Sequence, residues 1–405
     1  MESLLAEVES IRDELVADRR WLHQHPETGY DLPETVAYVR GRLEEMGYEV
    51  EEPIESGLVC CVGDTTGPCF LLRADMDALP LEEQTGLPFA ATNGNMHACG
   101  HDFHTAMLLG AAQILKRHEA ELPGCVKIVF QPDEEATDPR ETLGNEALCD
   151  AGVLENPKVG AAAGMHLCPV GVPVGTVGSI TGTAFFSVDD VEIEILGTGA
   201  HGAQPQKGVD PLNIMSHIHI ALQEVLAREV NPYEACVLTF GTMGGGTAAN
   251  IIPERAHMLG SLRTTNEETR QRLHERITAI VEHTAAAFGG EAHVAFLRGL
   301  PTVYNDPALT EELEGCYERY TGRRALRLSE PFSGSDDFGC MSHCVPSTYF
   351  LLGSTPEGSE EFPLHSPYIV FDEGILATGC SLLVSAAMGW LEDRARGAGD
   401  APAEA

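Results

Sequence analysis

Three apolar runs, Cys69–Arg73, Val126–Phe130 and Val159–Met165, constrain this chain more than any other feature. Each is too short to be a core helix and is bounded by turn-forming or polar residues. Each therefore predicts a strand buried on both faces. Helical spacing separates them. Phe103 to Lys116 turns Ala106, Leu108, Leu109, Ala112 and Leu115 inward, and Glu141 to Ala151 predicts a shorter helix. Strand and helix in alternation argue for an α/β domain with a largely parallel sheet. Ahead of it, Leu4, Leu5, Val8, Ile11 and Leu15 predict a helix over 3–23, stopped at His25-Pro26. A second helix follows from Pro33, well placed in a first turn, to Met46.

The pattern changes near residue 182. Val188, Val191, Ile193 and Ile195 alternate with acidic residues, as in a half-exposed strand. A helix over 210–229, strands over 235–243 and 255–264, a helix over 267–288 and a strand over 291–297 complete a β-α-β-β-α-β order, the ferredoxin-like motif. Helix Leu309–Tyr320, strand Ser347–Leu352 and a long helix Phe371–Leu391 resume the first pattern. The expected organisation is a discontinuous metal-binding domain over 1–182 and 300–396, an inserted α+β domain over 183–299, and a disordered tail over 397–405.

Metal-ligating side chains follow the strands. Cys99 and His101 lie two apart, a spacing that turns both to one side of an extended loop. Asp102 and the next helix would hold that loop in place. Glu134 and Glu135 follow the second buried strand. Adjacent residues point apart, so one carboxylate can bind metal while the other faces a bound water. His166 ends the third strand, and Pro363-Leu364-His365 offers a distant imidazole. Five mixed ligands exceed one tetrahedral ion and suit two ions with a bridging group. His97 and His104 are expected at most to support the ligands. Cys99 can also be read as a thiol nucleophile.

The formal net charge of -37 argues against nucleic acid and anionic membranes as partners. No apolar run reaches 18 residues, and the first residues lack a basic region followed by an apolar core. The expectation is no signal peptide, no membrane span, reduced cysteines and a cytoplasmic setting.

Several motifs, in order, resemble one family. They are Arg73-Ala74-Asp75-Met76-Asp77, the run from His97 to His104, Phe130-Gln131-Pro132, Gly199-Ala200-His201-Gly202, Asn250-Ile251-Ile252-Pro253 and Ser333-Gly334-Ser335-Asp336-Asp337-Phe338. The chain resembles the dinuclear metal amidohydrolases that include hippurate hydrolases, aminoacylases, N-acetyl-diaminopimelate deacetylases and plant indole-acetyl-amino-acid hydrolases. The resemblance implies a metallopeptidase-like catalytic domain with an inserted lid and dimerisation domain, and cleavage of N-acyl amino acids. It implies two divalent metals on Cys99, His101, Glu135, His166 and His365, with Glu134 as general base and Asp77 orienting a metal-bound group. It implies His201 as an oxyanion-stabilising imidazole reaching a partner subunit in a homodimer or larger oligomer, and Asn250 with Arg263 binding the substrate's carboxylate end. A divalent ion lowers the pKa of its bound water to roughly 7, and an Arg fork matches a carboxylate. Manganese or zinc suits this ligand set first, with cobalt and nickel also compatible.

Three residues depart from the family pattern: Asp133 where a small residue is common, Gln206 where a His is usual, and Asp336 where Glu is typical. Asp133 is expected to add negative charge beside the metals. Alternative functions are a dipeptidase or carboxypeptidase of the same fold, a catalytically silent small-ligand binder, and a thiol hydrolase using Cys99. The intact Glu134-Glu135 pair counts against the silent binder.

Overall fold

The computed structural model describes residues 3–136, 138 and 141–399. Helices α1 (Leu4–Ser10), α2 (Arg12–Gln24) and α3 (Pro33–Glu45) open the chain. Strands β1 (Glu51–Ile54), β2 (Gly57–Gly63) and β3 (Cys69–Asp75) lead to α4 (His101–Arg117). Then come β4 (Cys125–Gln131), α5 (Gly144–Asp150), β5 (Val159–Cys168), β6 (Val177–Ser179) and β7 (Gly182–Phe185). A second group comprises β8 (Val188–Leu196), β9 (Ala200–His201), α6 (Pro211–Glu229), β10 (Cys236–Gly245), β11 (Ile251–Ile252), β12 (Arg255–Thr264), α7 (Glu267–Ala287) and β13 (Glu291–Leu300). The chain closes with β14 (Val303–Asn305), α8 (Pro307–Thr321), β15 (Leu326–Arg327), α9 (Phe338–Ser342), β16 (Ser347–Gly353) and α10 (Leu376–Gly399).

The main sheet runs β1-β2-β4-β3-β5-β16-β6-β15. Its centre, β4-β3-β5-β16, is parallel, and antiparallel pairs flank it on both sides. The period-2 alternation of β3 divides two cores. Phe70, Leu72 and Ala74 pack under α4 and α10, while Cys69 and Leu71 join Val129, Phe338 and Tyr349 on the other face. Both faces are covered, which is why β3, β4 and β16 are buried along their whole length. The carboxyl ends of β3, β4 and β5 lie side by side, the edge where open α/β sheets place their sites.

The second sheet runs β10-β12-β8-β13, all antiparallel, which is the ferredoxin-like order. Helices α6 and α7 bury Ile218, Leu222, Ile277 and Val281 against Val191, Ile193, Ile195 and Met258 as a separate core. Arg270 of α7 grips Asp189 of β8 through two hydrogen bonds, at 2.8 and 2.7 Å. A two-stranded ribbon, β9 with β11, pairs His201 with Ile251.

Four expectations need correction. The first helix is two, because the backbone leaves helical geometry at Ile11 (φ -106, ψ 11). The helix expected from Glu141 starts at Gly144, whose backbone sits so close to Pro132 that an added Cβ would lie 1.7 Å from the Pro132 oxygen. The closing helix begins at Leu376 after a turn capped by the Asp372 carboxylate, not at Phe371. That helix reaches Gly399, into the expected tail, because Arg394 and Arg396 hold its last turns to Glu312 and Glu392. The rest of that tail, 400–405, lies outside the described residues. Residues Glu373–Arg396 are long and apolar enough to cross a membrane, but 83% of that window is buried in the protein.

Candidate metal centre

The loop before α4 turns on Gly100, which has φ +88. A Cβ there would meet Leu167 Cδ1 at 2.6 Å, so only glycine fits both the dihedral and the space. This turn brings Cys99 Sγ to 3.4 Å from His166 Nε2. Backbone carbonyls orient both buried imidazoles. His101 Nδ1 lies 2.8 Å from the Asp77 carbonyl, and His166 Nδ1 lies 2.7 Å from that of Leu167. Each Nε2 is therefore the nitrogen presented to the site, the arrangement metal-binding histidines use. His101 Nε2 and Glu135 Oε1 are buried and have no hydrogen-bond partner among the described residues. Such orphaned atoms are costly unless something binds them.

Glu135 is set by its own N–H, which donates to Asp77 Oδ2 at 3.1 Å. Its Oε2 lies 3.3 Å from His365 Nε2. His365 reaches the site from a residue in the left-handed region, φ +66, whose N–H donates to the Ala98 carbonyl. The donor atoms of Cys99, His101 and His166 lie within 4.8 Å of one another, as do those of Cys99, Glu135 and His365. The two triads share Cys99, which would be the donor common to both ions. A thiol, imidazoles and a carboxylate in this arrangement fit two divalent ions.

Glu134 adds a carboxylate 3.8 Å from His101 Nε2. Its burial, then the charges of Asp336 and Glu135, hold its pKa well above the carboxylate range. Burial would raise Glu135 too, but the His365 hydrogen bond and the His101 charge outweigh it and lower its pKa. Burial, then His104, brings His166 down to about 4, leaving it a neutral donor at pH 7. Burial and then Glu135 push the Cys99 thiol far up, which opposes its use as a free nucleophile.

Beneath these ligands lies a buried polar lattice that sequence reasoning missed. Arg73 donates to Gln131, Asp75 and Asp337 at 2.7, 2.6 and 2.7 Å, and to the Tyr349 hydroxyl at 3.0 Å. Asp75 also binds His104 Nδ1 at 2.6 Å, and His104 Nε2 accepts the Leu167 N–H. His104 therefore has neither nitrogen left for metal and steadies the strand end that carries His166. The available signal was the spacing of Arg73, Asp75 and Asp77, alternate residues on one side of an extended segment. Asp336 accepts from Tyr349 at 2.7 Å and from the Phe338 N–H at 2.8 Å, so the shorter side chain is fully engaged. The carboxylates of Glu134, Asp336 and Asp337 lie within 4.8 Å of one another, and Asp337, raised by burial against the pull of Arg73, reaches about 7. Asp102 points away from the ligands, to Arg19 at 2.9 Å and His23 at 2.8 Å. His97 is buried beside this pair, and burial lowers its pKa to about 3.

A cavity of about 290 Å³ opens on the ligands. Cys99, Glu134, Glu135, His166 and His365 line it, with Phe185, Val188, Leu300 and Leu364 as apolar wall and Arg263 and Arg298 as cations. Larger hollows of about 540 and 730 Å³ lie at the β1–β2 side and over α6 and α7, and neither contains a member of the two ligand triads. Arg263 lines the cavity, with Nη1 bound to the Ser333 carbonyl and the Ser335 hydroxyl. Asn250 does not join it. With His201 it sits exposed on the β9–β11 ribbon, held by the Gly202 N–H to Asn250 carbonyl bond. Of the departures, Gln206 is exposed in a turn of the second group, and Asp133 is buried with φ +46 but belongs to neither ligand triad.

Comparison with known proteins follows the same lines. Residues 71–389 match the family described as Peptidase family M20/M25/M40. An N-acetyl-L-cysteine deacetylase of Bacillus subtilis (strain 168) is 36% identical over 377 residues, 92% of this chain and 87% of the relative. The IAA-amino acid hydrolase ILR1-like 4 of Arabidopsis thaliana is 34% identical over 394 residues, 96% of this chain and 88% of the relative. The crystal structure of the Bacillus subtilis YXEP protein, described as a dinuclear metal binding peptidase, superposes with TM-score 0.80 at 33% identity. That match covers 95% of this chain and 99% of the other.

Proposed function

This chain belongs to the M20/M25/M40 peptidase family, and from that premise we propose that it is a metal-dependent amidohydrolase that cleaves N-acyl amino acids into a carboxylic acid and a free amino acid. One observation carries the reading: Cys99, His101, Glu135, His166 and His365 converge at the sheet edge with Glu134 beside them. When bound, two divalent ions would supply Lewis acidity and a water acidified towards neutrality. Manganese or zinc suits the ligands first, with cobalt or nickel tolerated.

The chain's own residues supply the rest. Glu134, whose carboxylate lies 3.8 Å from His101 Nε2, takes the proton from the attacking water and returns it to the leaving nitrogen. The Asp77 carboxylate accepts the Glu135 N–H, and the Asp77 carbonyl orients His101. The Arg263 guanidinium takes the substrate's α-carboxylate. The exposure of His201 and Asn250 supports a homodimer in which a partner copy presents both, His201 to the developing oxyanion. On this reading 183–299 is the lid and dimerisation domain, inserted into a catalytic domain of 1–182 and 300–396. Twelve free cysteines support a cytoplasmic setting.

The test is amine release from acetyl, benzoyl and indole-acetyl amino acids and from dipeptides, each with added metal and with chelator. Chelator-sensitive cleavage of the acylated amino acids is expected. Cleavage of dipeptides alone would replace this reading with a dipeptidase, and gel filtration showing an active monomer would remove the dimer.

A further inference from the structure

Arg298 was not expected at the site, and its placement is unusual. Strand β13 pairs with β8 from Glu291 to Leu297, and the register then shifts before Leu300. The shift is made by two consecutive left-handed residues, Arg298 at φ +66 and Gly299 at φ +51. Left-handed backbone is uncommon for a long side chain, and strand bulges beside sites re-aim side chains. The bulge turns Arg298 into the cavity that Arg263 enters from β12, with the Val188–Leu300 pair among the lining residues.

Two guanidiniums thus share one half-buried cavity of about 290 Å³. Burial, then the neighbouring charge of Arg298, lowers the Arg263 pKa against the opposing charge of Asp190, so the two guanidiniums repel each other. Among the described residues the two arginines share one acid, Asp190, which pairs with Arg298 and partly offsets the lowering of Arg263. Among the described residues Arg263 spends only Nη1, on a carbonyl and a hydroxyl. The ion pair of Asp190 with Arg298 Nε, at 3.5 Å, is too long for a good hydrogen bond. In a chain with 62 acidic and 25 basic residues, two arginines facing a single aspartate beside the ligands leave a local positive excess, a site for anions. One carboxylate satisfies one guanidinium fork.

We propose that Arg298 binds a second carboxylate, so that this amidohydrolase prefers dianionic N-acyl amino acids. The proposal rests on the amidohydrolase reading. The second carboxylate belongs either to the amino acid's side chain or to the acyl group. The cavity lies at the small end of ligand pockets, roughly 300–1,000 Å³, which suits a short acyl chain.

The experiment compares N-acetyl-glutamate with N-acetyl-glutamine, and N-succinyl-leucine with N-acetyl-leucine, on the metal-loaded enzyme and its Arg298→Met and Arg298→Lys variants. The wild type is expected to favour one dianion of the two pairs by roughly 10- to 100-fold in kcat/KM, the scale of one charge-assisted pair. The favoured pair identifies which end carries the second carboxylate. Arg298→Met should erase that preference, and Arg298→Lys should keep part of it. Equal losses on the charged and neutral member of each pair would show both arginines serving one carboxylate and overturn the proposal, as would a wild type without preference. If no member is cleaved, the amidohydrolase reading fails on its own. Calorimetric binding of N-acetyl-glutamate and N-acetyl-glutamine then decides the arginine pair: a preference lost in Arg298→Met upholds the dianion site, and equal binding overturns it.

Discussion

Replacing Glu134 by Gln should remove activity and make the metal-free fold more stable. The side chain keeps its shape and loses its charge. As general base it contributes roughly 10²- to 10⁴-fold to the rate, and kcat should fall by that much. Glu134, Asp336 and Asp337 hold their carboxylates within 4.8 Å of one another. Two such charges at that separation repel by about 3 kcal/mol at an effective dielectric near 20. Arg73, bound to Asp337 and 3.6 Å from Asp336, offsets part of this, leaving a gain of about 1–3 kcal/mol for the variant. The pH dependence has a definite sign. The folded-state pKa of Glu134 is raised, so the wild type pays its penalty above the ordinary value of 4.5, increasingly up to the folded pKa and fully beyond it. Metal-free Glu134→Gln should therefore exceed the wild type in Tm at pH 8, and the difference should shrink towards pH 5. Scanning calorimetry at both pH values and amine release at pH 8 measure the two effects. A variant that keeps more than a tenth of kcat, or whose advantage does not grow with pH, would refute the reasoning.

Glu135→Gln should behave differently, losing bound metal and activity together, which elemental analysis against activity will show; full metal content would remove Glu135 from the ligand set. Asp102→Ala leaves Arg19 and His23 buried without their carboxylate and should cost about 3–5 kcal/mol in urea unfolding at pH 7. Burial opposes its charge, but Arg19 and His23 hold the Asp102 pKa below its ordinary 3.8, so this stabilisation is present above that value and fades as pH falls through the folded one. A loss under 1 kcal/mol at pH 7 would contradict the buried pairing. Gly100→Ala forces a Cβ onto Leu167 in a left-handed turn and should lower metal affinity at least tenfold by calorimetry; unchanged affinity would show that the loop can move aside.

The strongest apolar patterns were legible because burial on both faces leaves a continuous run, as in β3, β4 and β5. Strand β1 was missed because it is four largely exposed residues with Pro53 among them, whereas the apolar stretch around Cys60-Cys61 in β2 reads as strand-like. Short β6 and β15 carry no pattern at all. The ligands were legible because strand ends and loops put chemistry at fixed places in the chain. Their supports were not: Asp337, Tyr349 and Asn145 meet Arg73 and Gln131 only through long-range packing. Arg298 was hidden for another reason. Its direction depends on a bulge that an ordinary Arg-Gly pair does not announce. Asn250 and Arg263, expected to act together, lie apart within one chain, because one is on a projecting ribbon and the other on the sheet.

The most direct test of the metal-dependent mechanism is to strip the protein of metal and add manganese or zinc back stepwise, reading occupancy and amine release from an N-acyl amino acid in the same samples. No cleavage without metal, and full cleavage as two ions bind per chain, is the expected result. Cleavage by the metal-free protein, stopped by a thiol alkylator, would contradict it and make Cys99 the nucleophile.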